Sequence, residues 1–231
     1  MSENGKGIIF GATGFIGSQV AHKMTKKGVK LILHGKSKKK LEKLDDDLKQ
    51  KFNLRQTLLQ GDLTDKNFFS NLYNIINSRF DYLDFLMNFV GKFERLSPLT
   101  NLTNNEWEEM VQINVNSFWK ILKELEPLLK RSANPRVIFL INDESLIGKP
   151  YQNFFNISQV MKKVIGEIFY EENKRLKILT KIIRIPILNS GITSRISAKK
   201  ESKKKKNAAI IEKVIVSAFD DRDRKLYTNL D

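Results

Sequence analysis

Three glycines with the spacing G-x-x-G-x-x-G stand near the start of the chain, in residues 11–17 (GATGFIG). The short apolar run at residues 7–10 is typical of a buried strand, and residues 15–27 repeat apolar side chains at helical spacing. Glycines at such a strand-to-helix turn let backbone N–H groups approach a pyrophosphate at the positive end of the helix. The segment therefore predicts the phosphate-binding loop of a nucleotide site, with a plain tight turn as the alternative.

The residues after the second predicted strand indicate which nucleotide binds. NAD sites usually place an Asp or Glu there, which accepts hydrogen bonds from the ribose hydroxyls. This chain has His34, Gly35 and Lys36 instead, followed by Lys38–Lys40. We expect NADP(H) rather than NAD(H), because a cation such as Lys36 can meet the extra 2′-phosphate. A solvated helix start would explain Lys38–Lys40 but not the missing acid.

Apolar runs alternate with helical patterns along the whole chain. Strands are predicted at residues 7–10, 30–34, 54–60, 82–89, 136–141, 178–187 and 225–230, and helices at 15–27, 38–51, 66–78, 105–130, 153–173 and 208–219. This alternation predicts an α/β fold, namely a doubly wound Rossmann-type domain with a parallel sheet of about seven strands and helices on both faces. We expect one domain over residues 1–231, with 188–207 as a flexible lysine-rich lid loop.

Composition excludes several classes of function. The chain has 231 residues, a net charge of +15, no cysteine and two histidines, so we expect no disulfide, thiolate catalysis or metal site. No apolar run reaches the roughly 20 residues that cross a bilayer, and the first residues lack a signal-peptide layout. We therefore expect a cytoplasmic protein without a membrane partner.

The positive charge favours anionic ligands, but lysine-rich residues 199–206 lack interleaved aromatics, so nucleic acid is not expected.

Taken together, these features resemble the short-chain dehydrogenase/reductase superfamily. The resemblance covers nearly the whole chain and rests on the glycine loop, Gly61–Asp65 (GDLTD), Asn88–Gly91 (NFVG), Ile113–Asn116 (INVN) and Pro186. It implies a dinucleotide cofactor and a defined set of binding residues. These are Gly11, Thr13, Gly14, Phe15, Ile16, Gly17, Lys36, Asp62, Leu63, Asn88, Phe89, Val90, Gly91, Pro186 and Ile187.

The resemblance also locates the catalytic positions of the family. The family's chemistry needs a Tyr as general acid/base, a Lys one helical turn later and a Ser further upstream. Counted from Asn114, which matches the family's helix asparagine, the Tyr position falls on Phe155, the Lys position on Gln159 and the Ser position on Asn142. Phenylalanine has no proton to exchange, and glutamine has no charge to lower a neighbour's pKa. The catalytic set is therefore not intact.

Two other tyrosines are candidates for the missing acid. Ser158, Tyr170 and Lys174 reproduce the Ser–Tyr–Lys spacing, but Tyr170 stands too close to Pro186 along the chain, so this register is rejected. Tyr151, in the loop before the 153–173 helix, is the one candidate for a substitute acid. An ordinary loop tyrosine is the alternative for Tyr151.

Predicted helices 105–130 and 153–173 are apolar over more than one face. Such a helix needs a second surface to cover it, and the resemblance implies a homodimer formed through these two helices. Burial within the monomer is the alternative.

The sequence thus predicts an NADP(H)-binding protein without ordinary dehydrogenase chemistry, which acts as a sensor or a scaffold for partners. One alternative is an NADPH-dependent short-chain oxidoreductase that acts on a small carbonyl substrate with a non-standard proton donor. The other is a basic Rossmann-type protein recruited to RNA. No motif identifies a substrate.

Overall fold

A computed structural model describes residues 5–185, 211–216 and 225–229. Seven strands form one sheet in the order β3-β2-β1-β4-β5-β6-β7, and every neighbouring pair is parallel. The strands are β1 (Lys6–Phe10), β2 (Lys30–Gly35), β3 (Thr57–Gln60), β4 (Phe85–Asn88), β5 (Arg136–Asn142), β6 (Leu179–Ile185) and β7 (Tyr227–Asn229). The strand order reverses between β1 and β4, which is where doubly wound sheets bind ligands.

Helices cover both faces of the sheet, as predicted. They are α1 (Phe15–Lys26), α2 (Lys38–Phe52), α3 (Lys66–Asn77), α4 (Asn104–Val111), α5 (Ser117–Leu129) and α6 (Asn153–Asn173). Residues 211–216 are also helical. One buried cluster joins the sheet to α3, α5 and α6, and a second joins its other face to α1, α2 and residues 211–216. The doubly wound α/β prediction is confirmed.

Residues 104–129 are helical without a break, as predicted for 105–130, but the prediction did not include the π turn that lies within this helix. A wide π turn, Gln112–Asn116, separates α4 from α5. Asn114 in this turn is fully buried, and its amide exchanges two hydrogen bonds with the backbone of Lys92, at 2.7 and 2.8 Å. The Asn114 side chain is thus bound by the loop that contains Lys92, at the point where the helix is wider.

Several predicted strands are shorter in the structure. Residues 54–56 do not join β3, because Asn53 ends α2 in the left-handed region (φ 55°) and Gln56 is held by side-chain hydrogen bonds with Asp45 and Leu31. Residues 82–84 precede β4, although the backbone of Asp84 already donates to the Lys6 carbonyl oxygen at 2.8 Å and accepts from the Arg136 N–H at 2.9 Å. The predicted lid 188–207 and most of the predicted helix 208–219 lie outside the described residues.

Candidate functional site

The glycine loop joins β1 to α1 in a backbone shape that requires glycine. Gly11 has φ +74°, and a Cβ on Gly17 would lie 2.2 Å from the carbonyl oxygen of Gly11. Gly14 is the N-cap of α1 and supplies no side-chain cap. The first N–H groups of α1 therefore have no side-chain acceptor from the N-cap and suit an anion.

A cleft of about 390 Å³ lies over this loop at the carboxyl edge of the sheet. Segments that follow β1, β2, β3 and β4 contribute to it, because parallel strands end at the same edge. The residues that line it are Gly11, Thr13, Gly14, Phe15, Ile16, Gly17, His34, Gly35, Lys36, Gly61, Asp62, Leu63, Phe89, Val90, Gly91 and Ile113. Most of the predicted cofactor-binding residues thus lie together in one cleft.

Lys36 and Asp62 form an ion pair at the β2–β3 end of the cleft. The Lys36 ammonium lies 2.7 Å from Asp62 Oδ2, while Asp62 Oδ1 accepts hydrogen bonds from the backbone N–H and the hydroxyl of Thr64. Burial alone would raise the pKa of the Asp62 carboxyl, but the hydrogen bonds from Lys36 and Thr64 outweigh it and lower the pKa. The Lys36 side chain is 70% exposed, so its charge is accessible to a ligand.

His34 was not predicted as a site residue, yet it lines the cleft. Its ring lies between the rings of Phe10 and Phe68, with centroids 4.9 and 5.3 Å away, and Nε2 donates to the Gly61 carbonyl oxygen at 3.2 Å. Burial lowers the pKa of His34 to about 4, so the ring is neutral at pH 7. His34 ends the apolar run KLILH at residues 30–34, and this placement in the sequence indicates a buried position.

Side chains hold the segment after β4 in place. The buried Asn88 does not line the cleft, and its amide oxygen accepts from the backbone N–H of Val90 at 2.9 Å. The Lys162 ammonium donates to the carbonyl oxygen of Val90 at 2.6 Å. The Asn114 amide accepts from the backbone N–H of Lys92 and donates to the carbonyl oxygen of the same residue. The wall formed by Phe89–Gly91 is therefore fixed by three buried polar side chains.

The three catalytic positions named by the resemblance lie near one another, without an acid/base group. Gln159 Oε1 accepts from the backbone N–H of Asn142 at 3.1 Å, and Asn142 Oδ1 accepts from the Ser145 hydroxyl at 3.1 Å. The Phe155 ring packs edge-on against Phe93, with centroids 5.5 Å apart. Gln159 and Asn142 can exchange hydrogen bonds, but none of the three side chains can transfer a proton at neutral pH.

Neither substitute tyrosine lies in the cleft. Tyr151 is 58% exposed and is not among the described residues that line it. Tyr170 lies beside residues 133–136, at the start of β5, which is the opposite edge of the sheet from the glycine loop. The rejection of the Tyr170 register therefore agrees with the geometry.

Some predicted features cannot be placed. Pro186, Ile187 and the lysine-rich residues 199–206 lie outside the described residues. Within the described ranges, no group of three or more His, Asp or Glu side chains could hold a metal ion. In that same part of the chain, no helix is both long and apolar enough to span a bilayer.

Comparisons with known proteins agree with this geometry. The family model for short chain dehydrogenases matches residues 7–206. An uncharacterized oxidoreductase of Staphylococcus epidermidis is 22% identical over 133 residues, which make up 58% of this chain and 56% of that protein. The match thus spans little more than half of that relative.

Solved structures share the fold. A crystal structure from Escherichia coli CFT073, complexed with NADPH, has a TM-score of 0.87 at 20% identity, over 98% of this chain and 96% of that one. A structure from Shigella flexneri, complexed with NADP, has a TM-score of 0.87 at 21% identity, over 98% and 96% of the two chains.

Proposed function

The chain belongs to the short-chain dehydrogenase family, and from that premise we propose that it binds NADP(H) in the cleft over the glycine loop but lacks ordinary dehydrogenase chemistry. Such a protein acts as a sensor of the dinucleotide or as a scaffold for a partner. The NADP and NADPH bound to two structural neighbours support the choice of nucleotide.

The glycine loop fits a pyrophosphate. Side chains at Gly14 or Gly17 would fill the cradle, since a Cβ there would meet the Gly11 carbonyl oxygen at 3.2 or 2.2 Å. Without them, the first N–H groups of α1 are available to the phosphate oxygens, where the helix dipole favours negative charge. This part of the site needs no charged side chain.

Lys36 supports the preference for NADP(H). It follows β2, where an NAD site would carry an acid, and no carboxylate stands between His34 and Lys40. In the structure Lys36 is paired with Asp62, so one or two of its three ammonium hydrogens are available for a 2′-phosphate. Lys36 and Thr64 hold Asp62 in place. Asp62 would therefore lie beside the adenosine half of the bound dinucleotide.

A bound nicotinamide supplies or accepts a hydride, and reduction of a carbonyl also needs a proton for the oxygen. Phe155 has none to give, and Gln159 has no charge to hold a neighbouring phenol or alkoxide in its ionised form. Asn142 remains able to donate a hydrogen bond to a carbonyl oxygen. The side chains at these three positions can therefore bind and orient a substrate but cannot supply the proton.

The observation that supports the proposal most directly is the way in which the positions matched to the family's catalytic residues are filled. Phe155 packs against Phe93, and the amide of Gln159 is engaged by the backbone of Asn142. Both side chains have structural partners, and both are at least nine-tenths buried.

Restoring the family residues tests the proposal. We expect wild-type protein to leave NADPH unconsumed across a panel of aldehydes and ketones, and the triple variant Asn142→Ser, Phe155→Tyr, Gln159→Lys to gain turnover by about 100-fold or more over background, as general acid catalysis supplies. Phe155→Tyr alone and Gln159→Lys alone are the matched controls, because each supplies half of the pair. Wild-type turnover that Tyr151→Phe abolishes would instead establish an enzyme with a substitute proton donor.

We also propose that the protein is a homodimer. Trp119 on α5 and Val164 and Ile168 on α6 are 52%, 43% and 52% exposed, and they belong to the two helices through which the family resemblance implies a dimer. A second copy of the same surface would remove this apolar area from water.

A further inference from the structure

Lys162 is a buried lysine behind the wall of the cleft. It is 5% exposed, and its ammonium donates to the carbonyl oxygen of Val90 at 2.6 Å. Lys162 lies one turn beyond Gln159, on the sheet-facing side of α6. Gly166 follows one turn later and packs against the Phe139 ring so closely that a Cβ on Gly166 would overlap the ring. This packing holds α6 against β5 and directs Lys162 toward the segment after β4.

The charge of Lys162 has no counterion in the described part of the chain. Charged side chains on the neighbouring loop and on α6 pair among themselves, Lys92 with Glu94 and Glu109, and Lys163 with Glu167. Burial, the one cause acting on it, lowers the pKa of Lys162 to about 8, so most molecules keep the positive charge at pH 7. An unpaired buried cation is costly to retain.

The topology places this charge at one end of the cleft. Lys36 and Asp62 follow β2 and β3, whereas Val90 follows β4 on the other side of the glycine loop. A dinucleotide whose 2′-phosphate meets Lys36 crosses the point where the strand order reverses. Its nicotinamide half then lies on the β4 side, the side of Val90 and Lys162.

We propose that Lys162 makes the cleft select the reduced dinucleotide, NADPH, over NADP⁺. The oxidised nicotinamide ring carries a positive charge and the reduced ring does not, so a fixed cation behind Val90 repels one form alone. The proposal rests on the proposed function and deepens it, because it makes the protein a sensor of redox state. We expect a preference of about three- to tenfold, the size of one screened interaction between unit charges.

Variants separate the charge of Lys162 from its hydrogen bond. Lys162→Gln keeps a donor for the Val90 carbonyl but removes the charge, and Lys162→Met removes both. Lys163→Gln is the matched control, since it removes the same charge from the neighbouring, partly exposed position. A purely structural role of Lys162 would change the affinities for both dinucleotides in parallel.

Calorimetric titration of the full chain with NADPH and with NADP⁺ at pH 7 tests the proposal. We expect wild type and Lys163→Gln to prefer NADPH, and Lys162→Gln to bind both forms with equal affinity because its affinity for NADP⁺ rises. Equal wild-type affinities, or a parallel change in Lys162→Gln, would overturn the inference, while absence of binding to either form would overturn the proposed function itself.

The wild-type protein provides a second test if the Lys162 variants fail to fold. The preference for NADPH should fall as the pH is raised from 7 to 9.5, because Lys162 loses its proton around pH 8. A preference that stays constant over this range would contradict the inference.

Discussion

The amide oxygen of Gln159 accepts a hydrogen bond from the backbone N–H of Asn142 at 3.1 Å. The positions where relatives would carry a lysine and a serine are thus joined to each other, from α6 to the end of β5. Asn142 in turn accepts from Ser145, so these buried polar groups satisfy one another, as buried polar groups must. Hydrogen bonding persists here, while the ability to give or hold a proton is absent from Phe155, Gln159 and Asn142.

Lys36→Ala should weaken NADPH binding about 10- to 100-fold, which is the loss of one or two charge-assisted hydrogen bonds to a phosphate. Binding of NADH should change little, since NADH lacks the 2′-phosphate. Lys38→Ala is the matched control, because this substitution removes the same charge two residues further along the chain. Lys38 pairs with Glu42. Calorimetry with both dinucleotides measures the effect, and equal losses for NADPH and NADH would contradict it.

His34 should make the fold sensitive to acid. Burial holds its pKa at about 4 in the folded chain, below the usual 6.5. Between these values the unfolded chain binds more protons, so the free energy of unfolding falls as the pH is lowered from 6.5 to 4, by about 3 kcal/mol in total from this residue. Urea unfolding at several pH values measures this loss.

His34→Phe should lack that share of the acid sensitivity, since a neutral ring remains between Phe10 and Phe68. His22→Phe removes the other histidine and serves as the control. If His34→Phe and wild type lose stability in parallel over this pH range, the buried histidine is not the cause.

Gly17→Ala should disturb the phosphate loop. The new Cβ would lie 2.2 Å from the Gly11 carbonyl oxygen and 2.9 Å from the Cα of Ala12, both backbone atoms. We expect a loss of about 1 to 3 kcal/mol in the free energy of unfolding together with weaker NADPH binding. Gly148→Ala is the control, because no atom lies within 4 Å of its added Cβ. A Gly17→Ala protein with unchanged stability and affinity would refute the role of this glycine.

Ile168→Glu should convert a dimer into monomers, because it places a charge in the apolar surface on α5 and α6. Ile75→Glu on α3, at a position 41% exposed, is the matched control and should leave the dimer intact. Sedimentation velocity distinguishes the two states. A wild-type protein that sediments as a monomer at micromolar concentration would end the dimer proposal.

The sequence was sufficient where local residue types determine the structure. Gly11 adopts a positive φ and Gly17 leaves no room for a Cβ, so the glycine spacing of residues 11–17 made the tight loop predictable. The alternation of apolar runs and helical patterns likewise predicted the parallel sheet, and α6 begins and ends where its pattern does.

Contacts between distant segments were not predictable from the sequence. Nothing local distinguishes Gln112–Asn116 from an ordinary helix, and the contact made in its π turn is with a distant segment, because Asn114 binds the backbone of Lys92, 22 residues earlier. Lys162 stands beside Lys163 in α6, and a lysine on a helix usually faces water. Its burial follows from the close contact of Gly166 with Phe139 and from the nearby Val90 carbonyl, which only the folded chain provides.

The most direct test of the central claim is a calorimetric titration of wild-type protein with NADPH and, in parallel, with NADH. The account predicts micromolar affinity for NADPH and much weaker binding of NADH, because Lys36 meets the 2′-phosphate and no acid stands ready for the ribose hydroxyls. Tighter binding of NADH, or no heat of binding with either dinucleotide, would contradict it.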